Sequence, residues 1–301
     1  MSLPHVALIG TGAMGAGMGH RLLAASHPVS VYNRTPVKAA SLVEAGARAI
    51  TTPQAAAEAP IILLSLSDES AVEQVLFDTM LPELRKGTVV VDTTTTSPLY
   101  ARMAATRLSG LGVARVEACV LGNPVMARGG NLRIFTAGEH DDVEAVGALL
   151  SVLGQEIRYL GSAGTASTMK LAFNLLLGVQ TVGFAEAVSY GVSAGLDRDL
   201  LIDVIANSGF SSPVLAFRAA FMRERCYEPA AFKTRLMEKD LRLAANDAMA
   251  RGIFLPLTES AGDLMADAVA AGLGDQDAAV ISELPKRRLG ETQPPKNGAA
   301  R

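Results

Sequence analysis

An α/β Rossmann-type doubly wound domain followed by an all-α domain is the fold class predicted for this 301-residue chain, on three observations. Short apolar runs alternate with helical stretches through about residue 160. The first run opens directly into Gly10-Thr11-Gly12-Ala13-Met14-Gly15, a G-x-G-x-x-G with a strand-like run before it and a helical stretch after it. Beyond Gly161 the strand-like runs stop, and everything to about residue 283 reads as helix. The expected division is residues 1–163, residues 164–284, and a polar tail over 285–301 whose Gly and Pro content predicts disorder.

Bulk composition narrows the function classes. With 49% hydrophobic and 19% charged residues, 28 glycines and no tryptophan, the chain is expected to be a globular enzyme with ample core. A net charge of −3 gives no footprint for nucleic acid, and no basic amphipathic segment suggests a membrane surface. Cys119 and Cys226 cannot form a disulfide framework and neither lies in a CxxC pair, which fits a reduced, cytoplasmic setting. The start of the chain shows no cationic region and apolar core of a signal peptide. His5, His20, His27 and His140 are scattered without metal-ligand spacing, so neither a metal site nor a His-based triad is expected.

Taken in order, residues 5–9 form a β-rich run, and the glycine turn leads into a helix to about residue 25. Glycines allow a tight turn and let the backbone approach a pyrophosphate, whose charge sits against free N–H groups at the helix start. A ligand-free glycine turn is the competing reading. The second strand, 29–32, ends at Asn33-Arg34-Thr35-Pro36, where NAD-binding domains normally carry an acidic residue for the ribose hydroxyls. A neutral Asn33 followed by Arg34, with Thr35 as N-cap, Pro36 at the first helical position and Lys38 a turn inside, suits a 2′-phosphate better. NADP is therefore expected over NAD, against the alternative of a well-formed helix start with a solvated arginine.

A helix over 38–45, the run 47–50 and an Ala-rich helix around 54–58 precede a fully apolar strand, 61–64. Such continuous apolar runs suit a parallel sheet covered on both faces. Leu66 and Ser67 close that strand; a helix over 70–77 and a second buried strand, 88–91, lead to Asp92 and four threonines, Thr93 to Thr96. Both loops lie at the sheet edge where open α/β folds bind ligands, although the threonines could equally be an exposed cap for the helix over 99–108. Strand 114–120 ends in a third such loop containing Leu121, Gly122 and Asn123; strand 132–137, helix 141–153 and an edge strand 156–160 complete the alternation.

Helices are then expected at 165–194, 197–207, 214–225, 233–251 and 258–271. The first is apolar on nearly every side, which predicts an interior helix. Asn174, Gln180, Thr181 and Glu186 interrupt it well short of a bilayer-spanning run. Lys170, Asn174 and Gly178 share one face at i, i+4 spacing. A buried ammonium is costly unless paired or used, so Lys170 either snorkels to water or serves chemistry.

Together GTGAMGAGM, NRTPVKA, DTTTTSP, VLGNPVMARGGNL, TMKLAFNLLLG and FKTRLMEKDLRLA, spread over residues 5–284, resemble the β-hydroxyacid dehydrogenases. That group contains 3-hydroxyisobutyrate dehydrogenase and the glyoxylate/succinic semialdehyde reductases. The resemblance implies an NADP(H)-dependent oxidoreductase of a small hydroxyacid or carbonyl substrate, dimeric or tetrameric through its helical domain. It implies that Lys170 and Asn174 line the active site, that Thr95 and Lys239 contact the cofactor, and that Asp240 and Phe232 lie nearby. A cationic donor within hydrogen-bond reach of a carbonyl oxygen stabilises the developing alkoxide and then protonates it, which Lys170 can do while Asn174 holds the oxygen or the lysine.

One departure matters. Relatives commonly read DAPVSGG or DAPVSGS in the substrate loop, where the serine helps to bind a carboxylate; here Leu121 occupies that position, with Glu117 and Cys119 replacing the aspartate and proline. Backbone N–H groups of Gly122 and Asn123, or the Asn123 amide, remain able to hold an anion, and a less polar substrate becomes more plausible. Two further readings follow: an imine reductase, a group that shares this architecture but typically lacks the lysine, and a cofactor-binding module without turnover.

Overall fold

The computed structural model describes residues 3–284; the 285–301 tail, expected to be disordered, lies outside the described residues. In chain order the elements are β1 (Val6–Ile9), α1 (Ala13–Ala24), β2 (Val29–Tyr32), a 3₁₀ turn at Pro36–Ala39, α2 (Ala40–Glu44) and β3 (Arg48–Ala49). A 3₁₀ segment at Pro53–Glu58 precedes β4 (Ile61–Leu64), and α3 (Glu69–Val72) continues in wide turns through Glu73–Met80. Then come β5 (Val89–Asp92), α4 (Pro98–Ser109), β6 (Ala114–Leu121), α5 (Pro124–Gly129), β7 (Leu132–Ala137), α6 (His140–Ala145), α7 (Gly147–Leu153) and β8 (Gly154–Tyr159). Helices α8 (Thr165–Ser193), α9 (Arg198–Ala206), α10 (Pro213–Glu224), α11 (Thr234–Ala250) and α12 (Pro256–Ala268) follow.

The eight strands form one sheet in the order β3-β2-β1-β4-β5-β6-β7-β8. Pairing is parallel except between β6 and β7. The reversal lies on β6, where Gly122–Asn131 with its single short helix is too brief for the crossover of a dozen or more residues that a parallel partner requires. Side chains alternate between two cores. Val6, Leu8, Ile61 and Leu63 join Met18 and Leu22 of α1 on one face, while Ala7, Ile9, Ile62 and Leu64 join Leu76, Phe77 and Met80 on the other. Each large aliphatic side chain fully buried this way contributes about 1.5–3 kcal/mol, which is why these strands read as unbroken apolar runs.

The described chain divides into two compact units. The first runs through Gly178 and takes in Leu236–Asp263; the second comprises Val179–Arg235 and the segment from Leu264 onward. Within the second, the buried Arg218 guanidinium pairs with buried Asp277, which also accepts from the Ala231 and Phe232 amides at 3.0 and 2.9 Å. Helix α8 is long and apolar enough to cross a membrane by length and composition, and 44% of its most apolar window is buried. The expectation of burial on every side fails. Phe173, Leu176, Tyr190 and Val192 are exposed, because only one face of the helix meets other parts of this single chain.

Candidate active site

The glycine turn is built by steric necessity at two of its three glycines. Gly10 has φ +95°, and a Cβ there would lie 2.2 Å from the Ser65 carbonyl oxygen; a Cβ on Gly15 would lie 2.0 Å from the Gly10 oxygen. Gly12 differs, since a Cβ there meets nothing within 4 Å. Open space above Gly12, a start of α1 that no side chain caps, and a buried Thr11 hydroxyl without a hydrogen-bond partner together fit a dinucleotide pyrophosphate lying on the turn. Ala13 and Met14 begin α1 at the same place. Asn33 braces the turn from β2: its Oδ1 accepts from the Thr11 amide at 3.1 Å and its Nδ2 donates to the Thr35 carbonyl at 3.0 Å.

Arg34 and Lys38 are exposed. Thr35 does occupy the N-cap position before Pro36, but its side chain makes no capping bond. At the next two strand ends, threonines stitch neighbouring loops together. Thr93 Oγ1 donates to the Leu64 carbonyl at 2.7 Å, and the Leu66 amide donates to Thr94 Oγ1 at 3.2 Å. Thr93, Thr94 and Thr96 are buried, so the alternative of an exposed threonine cap is wrong; Ser97 is the N-cap of α4, accepting from the Tyr100 amide. Ser67 is exposed and Thr95 half-buried.

Lys170 lies in the second turn of α8, largely enclosed with a fraction still reached by solvent. Its Nζ donates to the Val120 carbonyl at 2.8 Å, at the carboxyl end of β6. Burial pulls the ammonium below the ordinary lysine value; Asp240 and the Cys119 sulfur oppose that shift and Lys239 adds to it. The lysine is therefore tethered at the sheet edge rather than snorkelling. Asn174, one turn on and 3% exposed, does not hold Lys170 as anticipated: its Nδ2 donates to Asp240 Oδ2 at 2.5 Å. Asp240 Oδ1 lies 3.0 Å from Lys239 Nζ without hydrogen-bond alignment, and that ammonium donates to the Thr95 carbonyl at 2.7 Å. Lys170, Asn174, Asp240, Lys239 and Thr95 thus form one charged and polar cluster inside the first unit. Phe232 belongs to the second unit.

At the end of β6 the side chain of Leu121 is apolar. Leu121 packs against the cluster of Cys119, Phe135, Ala137 and Ala166. Asn123 Oδ1 accepts from the Met126 amide at 3.0 Å as the N-cap of α5, so its carbonyl end is spoken for by the helix. Gly122, at φ +145°, leaves no room for a side chain against Leu132. Burial, with Glu117 adding, pushes the Cys119 thiol up to about 12; Cys226 is exposed.

Sequence reasoning missed the role of Glu117. This carboxylate, 1% exposed, accepts from the Gly164 amide, from the Ser167 amide at 2.9 Å and from Ser167 Oγ at 2.8 Å. Behind it, buried Arg115 lies 3.8 Å from Glu117 and donates to Asp92 Oδ2 at 2.8 Å and the Ala101 carbonyl at 3.2 Å. A charged residue at alternate positions of an otherwise apolar strand was the available signal. On the surface, His140, Asp141 and Glu144 bring potential donor atoms within 4.8 Å of one another, a local grouping at the start of α6 that the scattered histidines did not suggest.

A glycine turn leading into α1, strand-end loops braced for a dinucleotide and an enclosed lysine define a nicotinamide-dependent oxidoreductase. Residues 5–161 match the NAD binding domain of 6-phosphogluconate dehydrogenase, and residues 164–284 match the NAD-binding family of NADP-dependent 3-hydroxyisobutyrate dehydrogenase. Glyoxylate/succinic semialdehyde reductase 1 of Arabidopsis thaliana is 30% identical, over 93% of this chain and 98% of its own. A 3-hydroxyisobutyrate dehydrogenase structure from Salmonella typhimurium superposes with TM-score 0.86 at 26% identity, over 93% of this chain and 99% of that one. A reductive aminase from Aspergillus terreus, in complex with NADPH and ethyl levulinate, gives TM-score 0.62 at 25% identity, over 94% and 99%. The chain belongs to the β-hydroxyacid dehydrogenase family.

Proposed function

We propose that this protein is an NADP(H)-dependent reductase that interconverts a small aldehyde or keto acid and its hydroxy form, with Lys170 as proton donor and acceptor. The observation that carries this reading is the Lys170 amino group, enclosed and held 2.8 Å from the Val120 carbonyl at the carboxyl edge of the sheet. A bound nicotinamide supplies or takes up the hydride. Lys170 offers its proton to the substrate oxygen and stabilises charge developing there. In the oxidative direction its neutral amine accepts the proton, which burial favours by lowering its pKa. Asn174 and Asp240 keep the adjoining wall polar and ordered, and Arg34 with Lys38 would pair with a 2′-phosphate.

Leu121 supports a second reading. Without a hydroxyl donor at that position, recognition of a substrate carboxylate weakens, and reduction of a C=N bond, as the reductive aminase's name indicates for that neighbour, becomes the competitor. Consumption of NADPH with glyoxylate, succinic semialdehyde, methylmalonate semialdehyde, a neutral aldehyde and a cyclic imine separates the two. Turnover of the imine alone overturns the carbonyl assignment, and turnover of none favours a cofactor-binding module. The exposed apolar residues Tyr190, Leu196, Leu200, Val204 and Phe210 support assembly into homodimers or homotetramers.

A further inference from the structure

We infer that Glu117 is a positioning residue: its buried carboxylate fixes the first turn of α8 against β6, so that Lys170 one turn along keeps its amino group at the carboxyl end of that strand. This rests on the acid–base role proposed for Lys170.

The first turn of any helix leaves backbone N–H groups without intrahelical partners. In α8 these groups meet a charged acceptor instead of water. Glu117 takes the Gly164 and Ser167 amides and the Ser167 hydroxyl, and its negative charge also opposes the positive end of the helix dipole. Gly164 is bound to this place by shape, since its φ is +95° and a Cβ would lie 2.9 Å from the Pro98 carbonyl oxygen. Three residues further along the same strand, the Val120 carbonyl accepts from Lys170 Nζ at 2.8 Å. Helix and strand are therefore joined at two points, each three residues apart in sequence on both elements. One tie is rigid and buried; the other is the end of a long side chain. Losing the rigid tie leaves the lysine to set the register of its own helix, which a flexible stem cannot do.

The carboxylate is itself held. Arg115 stands between Glu117 and Asp92, and Asp92 Oδ1 accepts from the Thr94 amide at 2.9 Å, within the threonine loop. Buried charges persist only when paired and hydrogen-bonded, so this line of side chains is a committed structure from the threonine loop to the start of the lysine helix.

The test uses the holoenzyme with bound NADPH and two variants, Glu117→Gln and the milder Ser167→Ala, which removes one of the three donors. Brief competitive acetylation followed by mass spectrometry gives the labelling of Lys170 relative to exposed Lys86. The pH profile of kcat and the NADPH Kd are measured beside it. A severalfold rise in relative labelling of Lys170 is expected in Glu117→Gln. With it go a shifted pH profile, a kcat lowered by up to about 100-fold, as an ångström-scale misplacement allows, and an unchanged NADPH Kd. Ser167→Ala should move in the same direction by less. Wild-type labelling and a wild-type pH profile in the variants, with only Tm reduced, would overturn the inference; should Glu117→Gln fail to fold, Ser167→Ala alone decides. Labelling does not depend on turnover, so full activity in Lys170→Ala would remove the acid–base reading and still leave the positioning role to be judged.

Discussion

Replacing Lys170 by Met keeps the stem's bulk and removes the charge, the proton and the bond to the Val120 carbonyl. Loss of a positioned acid–base group costs about 10²- to 10⁴-fold in rate, or about 3–5 kcal/mol at 1.36 kcal/mol per tenfold. The same substitution has a stability signature of known sign. Burial lowers the Lys170 pKa in the folded protein, so between that lowered value and 10.5 the unfolded chain binds the proton and the folded chain does not. Folding stability contributed by this group therefore rises with pH across that window, and below it the folded state carries the desolvation penalty of the ammonium. Lys170→Met should slow carbonyl reduction by about 10²- to 10⁴-fold, leave NADPH binding intact, and flatten the rise of Tm with pH relative to wild type. Stopped-flow NADPH oxidation measures the first, fluorescence titration the second and thermal melts across the window the third. Turnover within tenfold of wild type, or parallel Tm–pH curves for the two proteins, would refute the reasoning.

Arg34→Ala should weaken NADP binding by about 10- to 100-fold, the worth of a charge-assisted hydrogen bond of about 1.5–3 kcal/mol, while NAD affinity stays nearly constant; calorimetric titration with both cofactors checks it. Gly12→Ala and Gly15→Ala form a contrasting pair. The first has space for its methyl and should melt like wild type while losing cofactor affinity, whereas the second, 2.0 Å from the Gly10 oxygen, should lose both, as melts with and without NADPH will show. Leu121→Ser should raise kcat/KM for carboxylate-bearing aldehydes over a neutral aldehyde of similar size, read from competition assays.

The parts of the site legible in sequence were those written in local spacing. Gly10 to Gly15 between an apolar run and a helix, and Lys170 with Asn174 at helical spacing, each declare themselves within a few residues. What stayed hidden depends on partners far along the chain: Asn174 meets Asp240 across 66 residues and Glu117 meets Ser167 across 50. The reversed β7 was hidden for a different reason, since an apolar strand buried on both faces carries no mark of its direction. The exposed side of α8 was misjudged because composition reports which side chains are apolar and not how much of the chain is available to cover them. Asn123 shows both limits at once: its place before Pro124 marks a helix cap, yet the resemblance directed attention to its amide as an anion holder.

The two cysteine thiols are unequal in a useful way. Cys119 is shut inside the sheet's edge with its proton held up to about 12, and at neutral pH it presents no thiolate to an electrophile, while Cys226 stands in the open after α10. A maleimide dye therefore finds one address on the chain, in the unit that lacks Lys170, so a fluorophore placed there leaves the amino group at the sheet edge untouched.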